Sequence, residues 1–119
     1  MVCPAQGRHL LADLDGVAAA SLTRPALVEA LLREAAAAAG ATVLQAHFHH
    51  FGPGQGVTGV LLLAESHLSI HTWPEEQFAA LDIFLCGAAQ VERALEVIVS
   101  GLQPRQVGRQ LVERRARQA

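Results

Sequence analysis

The sequence predicts an α+β fold, a two-layer sandwich in which an antiparallel sheet carries two helices on one face. Three observations lead there. Two segments space their apolar residues as helices do: Val28, Leu31, Leu32, Ala35 and Ala39 in one, Val91, Leu95 and Ile98 in the other. Between them lie several strand-like runs separated only by short turns, and adjacent strands joined this way favour antiparallel pairing. The chain has 119 residues, 51% of them hydrophobic and 17% charged, with no internal repeat and no linker. That suits one domain, residues 1–119, with enough apolar mass for a core.

The elements follow in order. His9 to Leu14 reads as a first strand, ended by Asp15-Gly16. Thr23 can cap a helix that holds Pro25 in its first turn, and Gly40 is a natural stop. The alanine-rich end of this helix suggests close packing on a sheet. Thr42 to Phe48 is a second strand, and Gly52 to Gly56 forms a turn or loop. Further strands are expected over Val57–Leu63, His67–Thr72 and Ala79–Leu85, then a helix over Ala89–Ser100 and a short last strand over Val107–Val112.

Composition narrows the function classes. The formal net charge is −2. The only basic run, Arg105, Arg109, Arg114, Arg115 and Arg117, has no interleaved aromatics, so it reads as a solvated end and not a nucleic-acid arm. No apolar stretch reaches membrane-spanning length, and the N-terminus lacks the charged and apolar regions of a signal peptide. A soluble, cytoplasmic protein is expected, with no nucleic-acid or membrane partner. In a reducing compartment Cys3 and Cys86, the only cysteines, are expected as free thiols. The sequence contains no lysine. Pyridoxal phosphate is normally held through a lysine Schiff base, so that cofactor is excluded.

The most specific segment is Glu65-Ser66-His67, continued by His71-Thr72-Trp73-Pro74-Glu75. It is accompanied by Gly7-Arg8-His9-Leu10-Leu11-Ala12-Asp13, Phe48-His49-His50-Phe51, Gly56-Val57-Thr58-Gly59-Val60, and Phe78 to Gly87, which ends in a Cys-Gly pair. Together these resemble the prokaryotic S-adenosylmethionine decarboxylase proenzyme family, whose members are pyruvoyl-dependent. The resemblance spans most of the chain and is weak in the first helix and the C-terminal tail. It implies the two-layer fold, a homodimer with sites at the interface, and self-cleavage into residues 1–65 and 66–119.

The resemblance also implies roles. Ser66 Oγ attacks the carbonyl of Glu65, the amide becomes an ester, and loss of the Ser66 α-proton expels the Glu65 carboxylate. The remaining dehydroalanine hydrolyses to a pyruvoyl group, the self-derived cofactor that forms a Schiff base with the substrate amine. Such a break needs a strained or tightly held peptide. His71 matches the processing proton acceptor, and Thr58 stands where the family usually has a serine that assists processing. Cys86 matches the thiol that returns a proton to the substrate carbon. Phe51, Leu68, Trp73 and Glu75 match positions lining the substrate site, where an aromatic face suits an adenine and a sulfonium cation.

One tension is visible in the sequence itself. Ser66 and His71 have opposite parity, so a straight strand sends them to opposite faces; a break at Ser66 within a turn would remove the conflict. Packing is the competing role for Phe51 and Leu68, and an inert buried thiol for Cys86. His47 and His49 share a strand face while His50 points away, and without a third ligand they assign no metal. Cys3 has no such context.

Several positions depart from the family pattern: Thr58, Leu85 for threonine, Phe78 for tyrosine, His50 for arginine, and a Gly52–Gly56 loop one residue longer. The expected activity is S-adenosylmethionine decarboxylation, which makes the aminopropyl donor for polyamine (spermidine) synthesis. The alternatives are a pyruvoyl-dependent L-ornithine or L-arginine decarboxylase of the same family, and a non-catalytic partner that activates another subunit.

Overall fold

The computed structural model describes residues 5–117. Its elements are β1 (Gln6–Asp15), α1 (Ala19–Leu22), α2 (Pro25–Ala39), β2 (Val43–His50), β3 (Val57–Leu63), β4 (Ser66–Trp73), a 3₁₀ turn (Pro74–Glu76), β5 (Phe78–Cys86), α3 (Val91–Leu102) and β6 (Gln106–Arg115). The strands form one six-stranded sheet in the order β2-β3-β4-β5-β1-β6. Every neighbouring pair is antiparallel. The main helices α2 and α3 pack together on one face, giving the expected α+β sandwich.

Alternation along the strands builds the core. Leu10, Ala12 and Leu14 of β1, Leu61 and Leu63 of β3, Leu68 and Ile70 of β4, and Leu81, Ile83 and Leu85 of β5 are buried toward the helices. Val28, Leu32, Ala35 and Ala36 of α2, and Val91, Ala94, Leu95 and Ile98 of α3, meet them. Small residues bring the helices close: a Cβ on Gly101 of α3 would overlap the side chain of Leu31. Gly40 ends α2 in the left-handed region with φ 85°, and its N–H bonds the carbonyls of Ala36 and Ala37.

The structure corrects several expectations. Thr23 does not cap α2; Arg24 holds that position, without a side-chain cap. The Thr23 hydroxyl instead donates to the Ala20 carbonyl at the end of α1, a four-residue helix too short to show periodicity. The last strand is longer than expected, because β6 runs the full length of β1 in unbroken register. It is also exposed along its whole length. Charged side chains suit it as a sheet edge. Arg109, Arg114 and Arg115 are therefore part of the sheet, and Arg105 and Arg117 flank it. Arg109 donates to Glu92 of α3, and this hydrogen bond holds the Glu92 carboxyl below its ordinary range.

Among the described residues, the opposite face of the sheet carries no helix. Leu11, Val60, Leu62, Trp73 and Val112 on this face are each more than a third exposed. Cross-strand partners share a face, so the register resolves this surface into rows. The central rows are Val60, Ser69, Asp82, Leu11 and Gln110, and beside it Leu62, His67, Phe84, His9 and Val112. No helix among the described residues is long and apolar enough to cross a membrane.

Candidate active site

The site residues fall at two ends of the open sheet. At the first end β3 and β4 are joined by a two-residue turn, Ala64-Glu65, closed by the pair Leu63 and Ser66. Glu65 has φ 66°. That left-handed conformation favours glycine and costs a side-chain-bearing residue about 1–3 kcal/mol. The Ala64 N–H is tied to the Thr42 carbonyl at 2.9 Å, which holds the turn in place. Ser66 follows as the first residue of β4 and is 9% exposed. Its Oγ accepts a hydrogen bond from the Cys86 N–H at 3.1 Å. A strained peptide thus precedes a buried hydroxyl fixed in place by a backbone donor, the two conditions that an N-to-O acyl shift requires.

The second end gathers a ring cluster around a cross-strand pair. Thr58 and His71 are partners, with Thr58 Oγ1 3.2 Å from His71 Nδ1. His71 stacks with Trp73 at 6.1 Å between ring centroids, and Trp73 lies 5.5 Å from Phe78. On the other side of Thr58, His49 pairs with it across β2 and β3 and meets Phe51 edge-on at 4.6 Å. Phe51 is 60% exposed, unusual for a phenylalanine. Glu75 sits exposed on the 3₁₀ turn beyond Trp73.

The glycines of the Gly56 to Val60 segment have a steric role. A Cβ on Gly56 would overlap the Thr72 carbonyl, and one on Gly59 would overlap the Phe48 ring. Thr72, between His71 and Trp73, accepts from the Val57 N–H and donates to the Leu22 carbonyl, each at 2.8 Å. These contacts fix the strand that presents His71 and Trp73.

Two expectations are corrected here. Ser66 is not in a turn; it belongs to β4, and the strand alternates regularly to Trp73. Ser66 and His71 therefore keep opposite parity and lie ~16 Å apart along the strand. Leu68 is 1% exposed in the core, facing the helices, so its place is packing. A third correction concerns the thiols: Cys86 is disulfide-bonded and not free. The expectation for Cys3 lies outside the described residues.

Sequence reasoning missed a polar group between the two ends. His9 and His67 both contact the Asp82 carboxylate through Nε2, His67 at 3.3 Å. The three ligand atoms lie within 4.8 Å of one another, so they could hold a metal ion. The hydrogen-bond roles argue otherwise. Arg114 has only donors, so at 3.3 Å it bonds the lone pair of His9 Nδ1, leaving the proton on Nε2 to go to Asp82. Alternation could have placed His9, His67 and Asp82 on one face; their meeting depends on register.

The chain has relatives of known family. The model of the S-adenosylmethionine decarboxylase family matches residues 8–115. The S-adenosylmethionine decarboxylase proenzyme of a Sulfurihydrogenibium species is 44% identical over 109 residues, 91% of this chain and 81% of the relative. That of Aquifex aeolicus is 43% identical, covering 91% and 80%. The crystal structure of the adenosylmethionine decarboxylase from Aquifex aeolicus superposes with a TM-score of 0.87 at 38% identity, covering 97% of this chain and 95% of the other. The chain belongs to the S-adenosylmethionine decarboxylase family.

Proposed function

We propose that the chain breaks its own backbone between Glu65 and Ser66, that Ser66 becomes the pyruvoyl group, and that two copies together decarboxylate S-adenosylmethionine. The activity is that of the family and of the curated relatives. It takes precedence over ornithine or arginine decarboxylation and over a non-catalytic partner role.

The observation that carries the cleavage is the left-handed Glu65 directly before the anchored Ser66 hydroxyl. Attack by Oγ on the Glu65 carbonyl opens the strained peptide, and the turn can relax as the amide becomes an ester. The Cys86 N–H orients the nucleophile through backbone alone. The pyruvoyl carbonyl supplies an electrophile for the substrate amine and a sink for the electrons left when CO₂ departs. Cys86, on the open face beside it, supplies the proton to the substrate carbon as a thiol, so its disulfide must be reduced for turnover.

Removal of the Ser66 α-proton needs a base, and His71 of the same chain is too far away. A second copy resolves the distance. Two-fold packing of open face on open face is self-complementary and sets the first end of one sheet over the second end of the other. Each composite site then has Glu65, Ser66 and Cys86 from one copy and Thr58, His71, Phe51, Trp73 and Glu75 from its mate. His71 accepts the α-proton through Nε2 when Nδ1–H is donated to Thr58. Phe51 and Trp73 offer faces for adenine and for the sulfonium charge, and Glu75 offers a carboxylate for ribose hydroxyls. The same packing buries Leu11, Val60, Leu62 and Val112, which a lone chain leaves in water.

Intact-mass analysis of purified protein tests the cleavage. Two chains are expected, ending at Glu65 and beginning with a blocked residue at 66, and Ser66→Ala should give one. A fully active preparation that contains only full-length chain would sink the proposal.

A further inference from the structure

We propose that Arg114 is a processing residue, its guanidinium stabilising the carboxylate that Glu65 releases when the chain breaks. The inference rests on the self-cleavage proposed above and names a group that the sequence motifs do not contain.

Register brings Arg114 to the cleavage site. Gly7 of β1 pairs with Cys86 on one side and with Arg114 on the other. The β4–β5 register pairs His67 with Phe84, and beyond it the Cys86 N–H reaches Ser66 Oγ. Arg114, Gly7 and Cys86 therefore lie in one row across the sheet, and Glu65 joins them in lining one cavity. Gly7 has no side chain to block that row; a Cβ there would come within 2.8 Å of the Phe84 ring and 3.0 Å of the Leu85 carbonyl. The row opens on a cavity of about 380 Å³ lined by Gly7, Glu65, Phe84, Cys86, Arg114 and Arg115, among others.

Arg114 is also held in place. Its guanidinium lies 5.9 Å from the centroid of the Phe84 ring and donates to His9 Nδ1 at 3.3 Å. His9 is fixed in turn by Asp82, which also receives His67. The chain from Asp82 through His9 orients a permanent cation on the wall of the cavity that Glu65 also lines. An arginine keeps its charge at any working pH.

The chemistry asks for such a charge. In the ester, the Glu65 acyl carbon is bonded to Ser66 Oγ. A base removes the Ser66 α-proton, the electron pair forms the Cα–Cβ double bond, and the Cβ–O bond breaks. The departing oxygen carries its electrons away as the Glu65 α-carboxylate. That terminus joins the Glu65 side-chain carboxylate, so two negative charges appear where one stood. Ser66 and Cys86 offer no positive charge. Arg114, with Arg115 on the cavity wall, supplies it where the charge develops. Because the cavity is open to water, the effect on elimination should be on the order of tenfold, below the ~10²–10³ of an enclosed oxyanion donor.

The test follows cleavage of newly made full-length chain for wild type, Arg114→Gln, Arg114→Lys and Ser66→Ala, with matched thermal melts. Hydroxylamine identifies the ester by splitting it and leaving an unblocked Ser66. Arg114→Gln is expected to form two chains about tenfold more slowly while a hydroxylamine-sensitive full-length species accumulates, and Arg114→Lys to recover part of the rate. Wild-type kinetics in Arg114→Gln would overturn the assignment. So would slow cleavage without ester, since the defect would then precede elimination. Normal cleavage with a raised KM would overturn it too and assign Arg114 to the substrate. A wild-type chain that never cleaves would instead remove the self-cleavage reading itself.

Discussion

Thr58→Val isolates the contact that orients His71, the proposed processing base. Thr58 Oγ1 lies 3.2 Å from His71 Nδ1. His71 can accept a proton through Nε2 only as the tautomer with hydrogen on Nδ1, and Thr58 is the acceptor that favours it. Valine keeps the β-branched shape and strand preference and removes the oxygen alone. A neutral hydrogen bond contributes about 0.5–1.5 kcal/mol, which corresponds to cleavage about two- to twelvefold slower. The pair is exposed in a single chain, which favours the lower end; cover by a second copy moves the value upward. Densitometry of precursor and product chains after a pulse of synthesis measures the rate. Thr58→Ser should stay close to wild type, because it keeps the oxygen. If Thr58→Val cleaved at the wild-type rate, or Thr58→Ser were the slower of the two, the tautomer argument would fail.

Two further outcomes separate processing from turnover. Cys86→Ala keeps the backbone N–H that holds Ser66 Oγ, so both product chains should still form, while turnover falls by the ~10²–10⁴ typical of a lost general acid; failure to cleave would place the thiol in processing. Reductant should raise the turnover of wild type without changing its cleavage, and no response to reductant would separate the disulfide from activity. Phe51→Ala should lose ~1–3 kcal/mol of kcat/KM for S-adenosylmethionine, as for base–aromatic stacking, and cleave normally. Unchanged kcat/KM would mean that the adenine is held elsewhere.

Local chemistry made much of the fold readable. Pro25 and Gly40 bracket α2 because one fits a helix start and the other a left-handed stop. The β3 limits, Val57 and Leu63, follow from an apolar run bounded by Gly56 and by the turn at Glu65. β6 was harder, since its arginines read as solvent-facing tail while backbone pairing with β1 makes them strand. Thr23 has the right chemistry for a cap, but the short α1 uses its hydroxyl first.

The candidate site's residues could be named from the sequence, but their arrangement could not. Parity alone separated Ser66 from His71, and the structure keeps them apart. What parity cannot supply is register. Register joins Thr58 to both His71 and His49, and aligns Arg114, Gly7 and Cys86. It also leaves Leu11, Val60, Leu62 and Val112 exposed on the open face of the single chain.

Complementation between two inactive variants measures that composite site most directly. Ser66→Ala lacks the cofactor precursor, and His71→Ala lacks the base; each alone should neither cleave nor turn over substrate. When the two are co-expressed, random two-fold pairing makes about half of the dimers mixed, and each mixed dimer has one intact site of two. Cleavage confined to the His71→Ala chain is expected, with about a quarter of wild-type decarboxylase activity. If co-expression restored neither, or if His71→Ala cleaved unaided, His71 would not serve Ser66 across two copies.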